Sequence, residues 1–149
     1  MKTAETIRKK IINTRAGDIL RDINRISLKD EMYLVAGVSH CEAALVRLFE
    51  KEDMNDLLLR ICFPFKCRLP FGEGNSNEVL YADLSKIIFK DTAQLSSLLG
   101  RHPEKRLCTV SKPVINEVVK ILGDMSTISN DIKSRFFQAA EPLRRRRRI

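Results

Sequence analysis

From Ile7 to Ile26 the positions Ile7, Ile11, Ile12, Ile19, Ile23 and Ile26 recur near helical spacing, flanked by Arg8, Lys9, Lys10, Arg15, Arg21 and Arg25. Such a stripe predicts a long amphipathic helix packed on another helix, from the same chain or from a second copy, with Gly17 weakening its middle. A second helix is expected from about Leu28 to Ala36, ending at Gly37, where glycine suits a turn that needs positive φ. Ser39 is placed to cap the next helix, and Glu42, three residues on, completes a capping box. That helix runs to about Glu50 and buries Ala43, Ala44, Val46 and Leu48 or their neighbours. Asp53 is expected to cap another, carrying Met54, Leu57, Leu58 and Ile61.

Between Phe63 and Phe71 the period changes to two, with Phe65, Cys67, Leu69 and Phe71 on one side and Lys66 and Arg68 on the other. This predicts a half-buried strand. Pro64 and Pro70 cannot donate to a ladder, so the strand belongs at an edge or forms an extended arm. After the loop Gly72 to Asn77, helical patterns resume at Glu78 to Phe89 and at Thr92 to Leu99, with Gly100 as the stop. Two more follow, at Pro113 to Leu122 after Ser111 and at about Ser129 to Ala140. The expected fold class is mainly α. It is a helical bundle with a helix-turn-helix and a short extended strand or arm, assembled as an intertwined homodimer. Three regions are expected: 1–72 for dimerisation and the helix-turn-helix, 73–141 as a helical extension on the same domain, and 142–149 as a solvated arginine tail.

Charge sharpens this picture. The 149 residues carry a formal +8, and Arg144, Arg145, Arg146, Arg147 and Arg148 supply five of it, leaving a body at only +3. Five adjacent guanidinium groups are either solvated or laid against an anion, and phosphate accepts that charge density best. Such a tail specifies no base sequence, so readout must come from elsewhere. Hydrophobic residues at 44% and charged residues at 31% fit a globular chain, and Trp 0 leaves aliphatic side chains to fill the core. No apolar run reaches the roughly 20 residues of a membrane span, and the start Met-Lys-Thr-Ala-Glu-Thr lacks a signal sequence's apolar stretch, so a cytoplasmic location is expected.

Catalytic chemistry has few candidates. His40 and His102 are the only histidines, one at an exposed helix start and one before a proline in a turn, and neither position suits an acid or base. No phosphate loop, nucleophile elbow or dinucleotide fingerprint occurs, so no enzyme activity and no cofactor is expected. The four cysteines Cys41, Cys62, Cys67 and Cys108 lack the tight pairing of a zinc knuckle, because Cys62 and Cys67 bracket Phe-Pro-Phe-Lys in the expected strand. An internal disulfide is disfavoured in a reducing compartment, while an interchain pair through Cys67 stays open.

Gly37-Val38-Ser39 is a common entry to a DNA-reading helix, which would place Ser39, His40 and Arg47 on its exposed face. The alternative is a helical hairpin core in which His40, Arg47 and Lys51 form the wet side. Over roughly 11–71 the chain resembles the FlhD family of transcription-activator subunits. The resemblance is carried by Ile12-Asn13, Gly37-Val38-Ser39, Ala43, Leu45 and Leu48, Met54 and Leu57, and Cys67-Arg68-Leu69-Pro70-Phe71. The chain departs from the family at Leu34-Val35-Ala36 and is about two residues longer between Met54 and Cys67. Beyond Gly72 the likeness fades.

The resemblance implies an obligate helical homodimer joined to a zinc-containing FlhC-like subunit, which binds promoter DNA and recruits RNA polymerase. It implies a dimer interface that uses Cys67, to which the isoleucine stripe adds Ile12, Ile19 and Ile23. The expected function is that of a DNA-binding activator subunit at promoters of mobile-element transfer or flagellar genes. DNA contact is assigned to Ser39, His40, Arg47 and Arg144 to Arg148. The other reading is an adaptor or scaffold protein with a solubilising basic tail.

Overall fold

The computed structural model describes residues 14–23, 31–68 and 77–137. Six strands form one antiparallel sheet: β1 Asp18–Arg21, β2 Met32–Val38, β3 Glu42–Phe49, β4 Phe63–Arg68, β5 Asn77–Asp91 and β6 Arg106–Thr109, in the spatial order β4-β5-β3-β2-β1-β6. The helices are α1 Asp56–Ile61, α2 Thr92–Arg101, α3 Lys112–Asp124 and α4 Asn130–Ile132, the last running into a π-helical turn at Lys133–Phe137. The sheet curls into a half-barrel, which overturns the expected helical bundle.

The centre of the sheet is buried on both faces, and this explains the uninterrupted apolar runs of β2 and β3. On the concave face Ile19, Leu34, Ala44, Val46, Leu80 and Leu84 pack with Ile115, Val118 and Leu122 of α3 and with Phe136 and Phe137. On the convex face Leu20, Tyr33, Val35, Ala43 and Leu45 pack with Leu95 and Leu99 of α2. Both faces of β2 and β3 thus have helices to cover them, so neither strand shows the alternation by which a half-buried strand is recognised.

The segment expected to be a helix-turn-helix is therefore a β-hairpin. Its turn still uses the spacing that suggested a helix cap. Ser39 N donates to Glu42 O at 2.8 Å, Ser39 Oγ donates to the same oxygen at 3.2 Å, and Glu42 N donates back to Ser39 Oγ at 3.1 Å. A hydroxyl three residues from its partner closes a hairpin loop as readily as it caps a helix. Gly37 lies within β2, and positive φ occurs instead at Gly17, with φ 98, in the turn before β1.

The residues expected to be helical from Glu78 to Phe89 form β5, and a bulge accounts for the difference. While β3 advances from Leu45 to Arg47, its partner positions on β5 move from Ile88 to Asp83. The odd number of extra residues reverses the faces, leaving Leu84 on the concave side and Ile88 on the convex side. Asp83 Oδ1 holds the bulge, accepting from Ser85 N at 3.0 Å and from Ser85 Oγ. The resulting apolar spacing at Leu80, Leu84, Ile87 and Ile88 imitates a helix.

Some other local expectations are met and two are not. β4 is an edge strand, as Pro64 requires, with Phe65 and Cys67 buried and Lys66 exposed. Helices appear after Ser111 and from Thr92, where Asp91 Oδ1 accepts from Gln94 N at 3.0 Å. α1 is capped by Asn55, whose Oδ1 accepts from Leu58 N at 2.8 Å, and not by Asp53. Where the long isoleucine helix is expected, Asp18–Arg21 is β1, and Ile7, Ile11, Ile12 and Ile26 lie outside the described residues.

Candidate functional site

Of the residues expected to meet DNA, Arg47 stands on β3, apart from the turn that carries Ser39 and His40. Ser39 is committed to the hairpin turn, and His40 is exposed at its tip. Arg47 projects from β3, with Nη1 2.6 Å from Glu31 Oε2 and its guanidinium carbon 4.7 Å from the centre of the Phe49 ring. Arg144 to Arg148 lie outside the described residues, as does Ile12. Of the positions expected at a dimer interface, Ile19 is fully buried in the concave core and Ile23 is buried on the convex side. These two side chains are used within this chain.

Ser39 and His40 do come together with residues that the sequence did not single out. They join Thr14, Val38, Thr92, Ala93, Ser96 and Ser97 around an open cleft of about 590 Å³ at the start of α2. Two backbone donors at the start of α2 are engaged. Thr92 N donates to Cys41 O at 3.0 Å, and Gln94 N is held by the Asp91 carboxylate, which also places a negative charge at the helix start. This favours uncharged hydrogen-bonding groups over anions. Among the described residues, buried Thr14 Oγ1 has no hydrogen-bond partner.

A second cluster forms where the curl brings the sheet's opposite edges together. Cys67 of β4 is buried and Cys108 of β6 is half-buried, and their sulfur atoms are 3.2 Å apart. Cys67 is held below the ordinary thiol range by the hydrogen bond from Cys108, against the opposing effect of burial. Cys108 is pushed far upward by donating that bond, by burial, by the nearby Cys67 sulfur and by the Asp18 carboxylate. Asp18 is itself fully buried, accepting from Arg15 N at 3.0 Å and Thr109 Oγ1 at 2.7 Å, with Arg106 Nη2 3.2 Å away. Cys62 is also raised, by burial and then by Asp83. Among the described residues no group of three potential metal ligands occurs. Sequence alone offers no reason to pair Cys67 with Cys108, because β4 and β6 end the sheet order and only the curl of the sheet brings them together.

The third feature is α1. It buries none of its residues, and Leu57, Leu59 and Ile61 stand 66%, 39% and 48% exposed. The helix expected to carry Leu57, Leu58 and Ile61 is present, starting at Asp56. Val79, on β5, is also exposed. No helix among the described residues is long and apolar enough to cross a membrane. No family model, no curated protein and no solved structure matches this chain.

Proposed function

We propose that this chain is a non-catalytic adaptor subunit that pairs with a second copy through α1 and holds nucleic acid by its phosphates, leaving base recognition to a partner protein. The observation that carries this reading is the aliphatic face of α1. Leu57 and Ile61 are four residues apart and share one side of the helix. Large side chains grouped in the open signal an interface more strongly than the same side chains scattered singly. A second copy fits because α1 is self-complementary in charge. Two-fold antiparallel pairing sets Asp56 of one helix against Arg60 of the other.

Pairing also doubles the arginine run. Two runs held in one particle bind a polyanion with higher avidity than either alone. In the activator reading, this chain then supplies assembly and phosphate affinity. Base contacts fall to a partner such as the zinc-containing subunit that the resemblance implies, because Gly37 to Leu48 lie within β2, the hairpin turn and β3.

Sedimentation equilibrium tests the pairing. The full chain should show a concentration-dependent dimer, and Leu57→Ser with Ile61→Ser should give a folded monomer, since neither side chain is buried within the chain. A strictly monomeric wild type, or a double variant that still dimerises, would overturn the proposal.

A further inference from the structure

Among the described residues, Cys67 and Cys108 are a pair of thiols already in contact, and they sit on strands at opposite ends of the sheet order. The span between them, 41 residues, contains β5, α2 and the turn before β6. A disulfide sulfur pair stands about 2.05 Å apart, so the two atoms must approach by roughly 1 Å. Small side-chain rotations at an edge strand can supply that approach, because each of β4 and β6 is paired on one side only.

We infer that Cys67 and Cys108 form an oxidation site at which a hydroperoxide generates an intrachain disulfide that joins the two edges of the half-barrel. The roles follow from the surroundings. Cys108 lies beside the Asp18 carboxylate and keeps its proton, while Cys67 receives the S–H hydrogen bond and is the sulfur that ionises first.

The Cys67 thiolate attacks one oxygen of hydrogen peroxide, and the O–O bond breaks. Cys67 becomes a sulfenic acid, and the departing hydroxide takes up the proton that Cys67 released, leaving as water. Cys108 then gives up its proton and attacks Cys67 Sγ. The S–S bond forms, the S–O bond breaks, and the expelled hydroxide combines with that proton as a second water. The two thiols lose two electrons and the peroxide gains them. Cys41, exposed and alone, and Cys62, buried with its thiol pushed upward, have no such partner in contact.

The test treats the full wild-type chain with hydrogen peroxide, blocks remaining thiols with N-ethylmaleimide, and maps peptides by mass spectrometry without reduction. The expected product is a link between the Cys67 and Cys108 peptides within one chain, with no covalent bond to a second chain and with Cys62 alkylated. In Cys108→Ser, the sulfenic acid should persist at Cys67 and be trapped by dimedone. Cys67 and Cys108 both still open to alkylation after peroxide, or a link found between two chains in place of within one, would overturn the inference.

Discussion

The carbonyl oxygen of Phe136 lies 2.8 Å from the point where a Cβ on Gly37 would stand, and Phe136 Cβ lies 3.0 Å from it. Gly37 is therefore small because the segment after α4 crosses β2 at backbone distance. It lets Phe136 and Phe137 enter the concave core, where Phe136 meets Phe89 with ring centres 5.4 Å apart. Arg135 adds a tether, pairing with Glu42 at the start of β3.

Substitution at this crossing has a defined sign. Gly37→Ala forces the added carbon into backbone, and overpacking of this kind costs about 1–3 kcal/mol. Gly123→Ala meets Phe137 O only at 3.6 Å within α3, so it should be neutral or add up to about 1 kcal/mol through helix propensity. Thermal melts should therefore show Gly37→Ala below the wild type and Gly123→Ala at or above it.

Asp18 joins β1 to β6 through two donors, Thr109 Oγ1 and Arg106 Nη2. Asp18→Ala leaves the Thr109 hydroxyl and the Arg106 guanidinium without this carboxylate in a site where it is fully buried. Removing one partner of a buried charged pair costs about 3 kcal/mol. Urea unfolding should show that loss, with amides of β6 exchanging fastest.

Joining Cys67 to Cys108 closes a 41-residue span. On the chain-entropy account the oxidised protein gains about 4 kcal/mol over the reduced one. Denaturant midpoints measured with and without reductant should differ accordingly, and the difference should vanish in Cys108→Ser.

The closeness of the two thiols also fixes a pH dependence. Cys67 reacts as its thiolate, so its oxidation rate rises with pH through a pKa held below the usual thiol range. Cys108→Ala deletes the donor that favours the thiolate, and burial then acts alone. The rate profile, followed by sulfenic-acid trapping, should shift toward higher pH. An unchanged profile would mean that the neighbouring sulfur does not set the reactivity of Cys67.

Much of the local structure is legible in the sequence, and the parts that are not share a cause. The edge position of β4 follows from Pro64, and α3 follows from Ser111 and Pro113, because these signals act within a few residues. β2 and β3 resemble helices in sequence because their burial on both faces removes alternation, and because Ser39 and Glu42 close a hairpin with the spacing of a helix cap. β5 does so because its bulge converts a period of two into one near the helical value. At the candidate sites, Ser39 and His40 stand out in the sequence for a helix that does not form. Cys108 becomes informative only once β6 is placed opposite β4. The exposure of Leu57 and Ile61 has no signal in the sequence, since it comes from a six-residue helix that leaves them uncovered.

If this chain holds phosphates without reading bases, DNA duplexes of unrelated sequence bind it alike, and fluorescence anisotropy measures this. The full chain should bind all of them with equal affinity and a steep salt dependence. Truncation before Arg144 should flatten that dependence by roughly one released ion for each phosphate that the arginines had neutralised. A sequence preference that survives the truncation would contradict the account and place base readout within the folded body. Binding to none of the duplexes would equally contradict it.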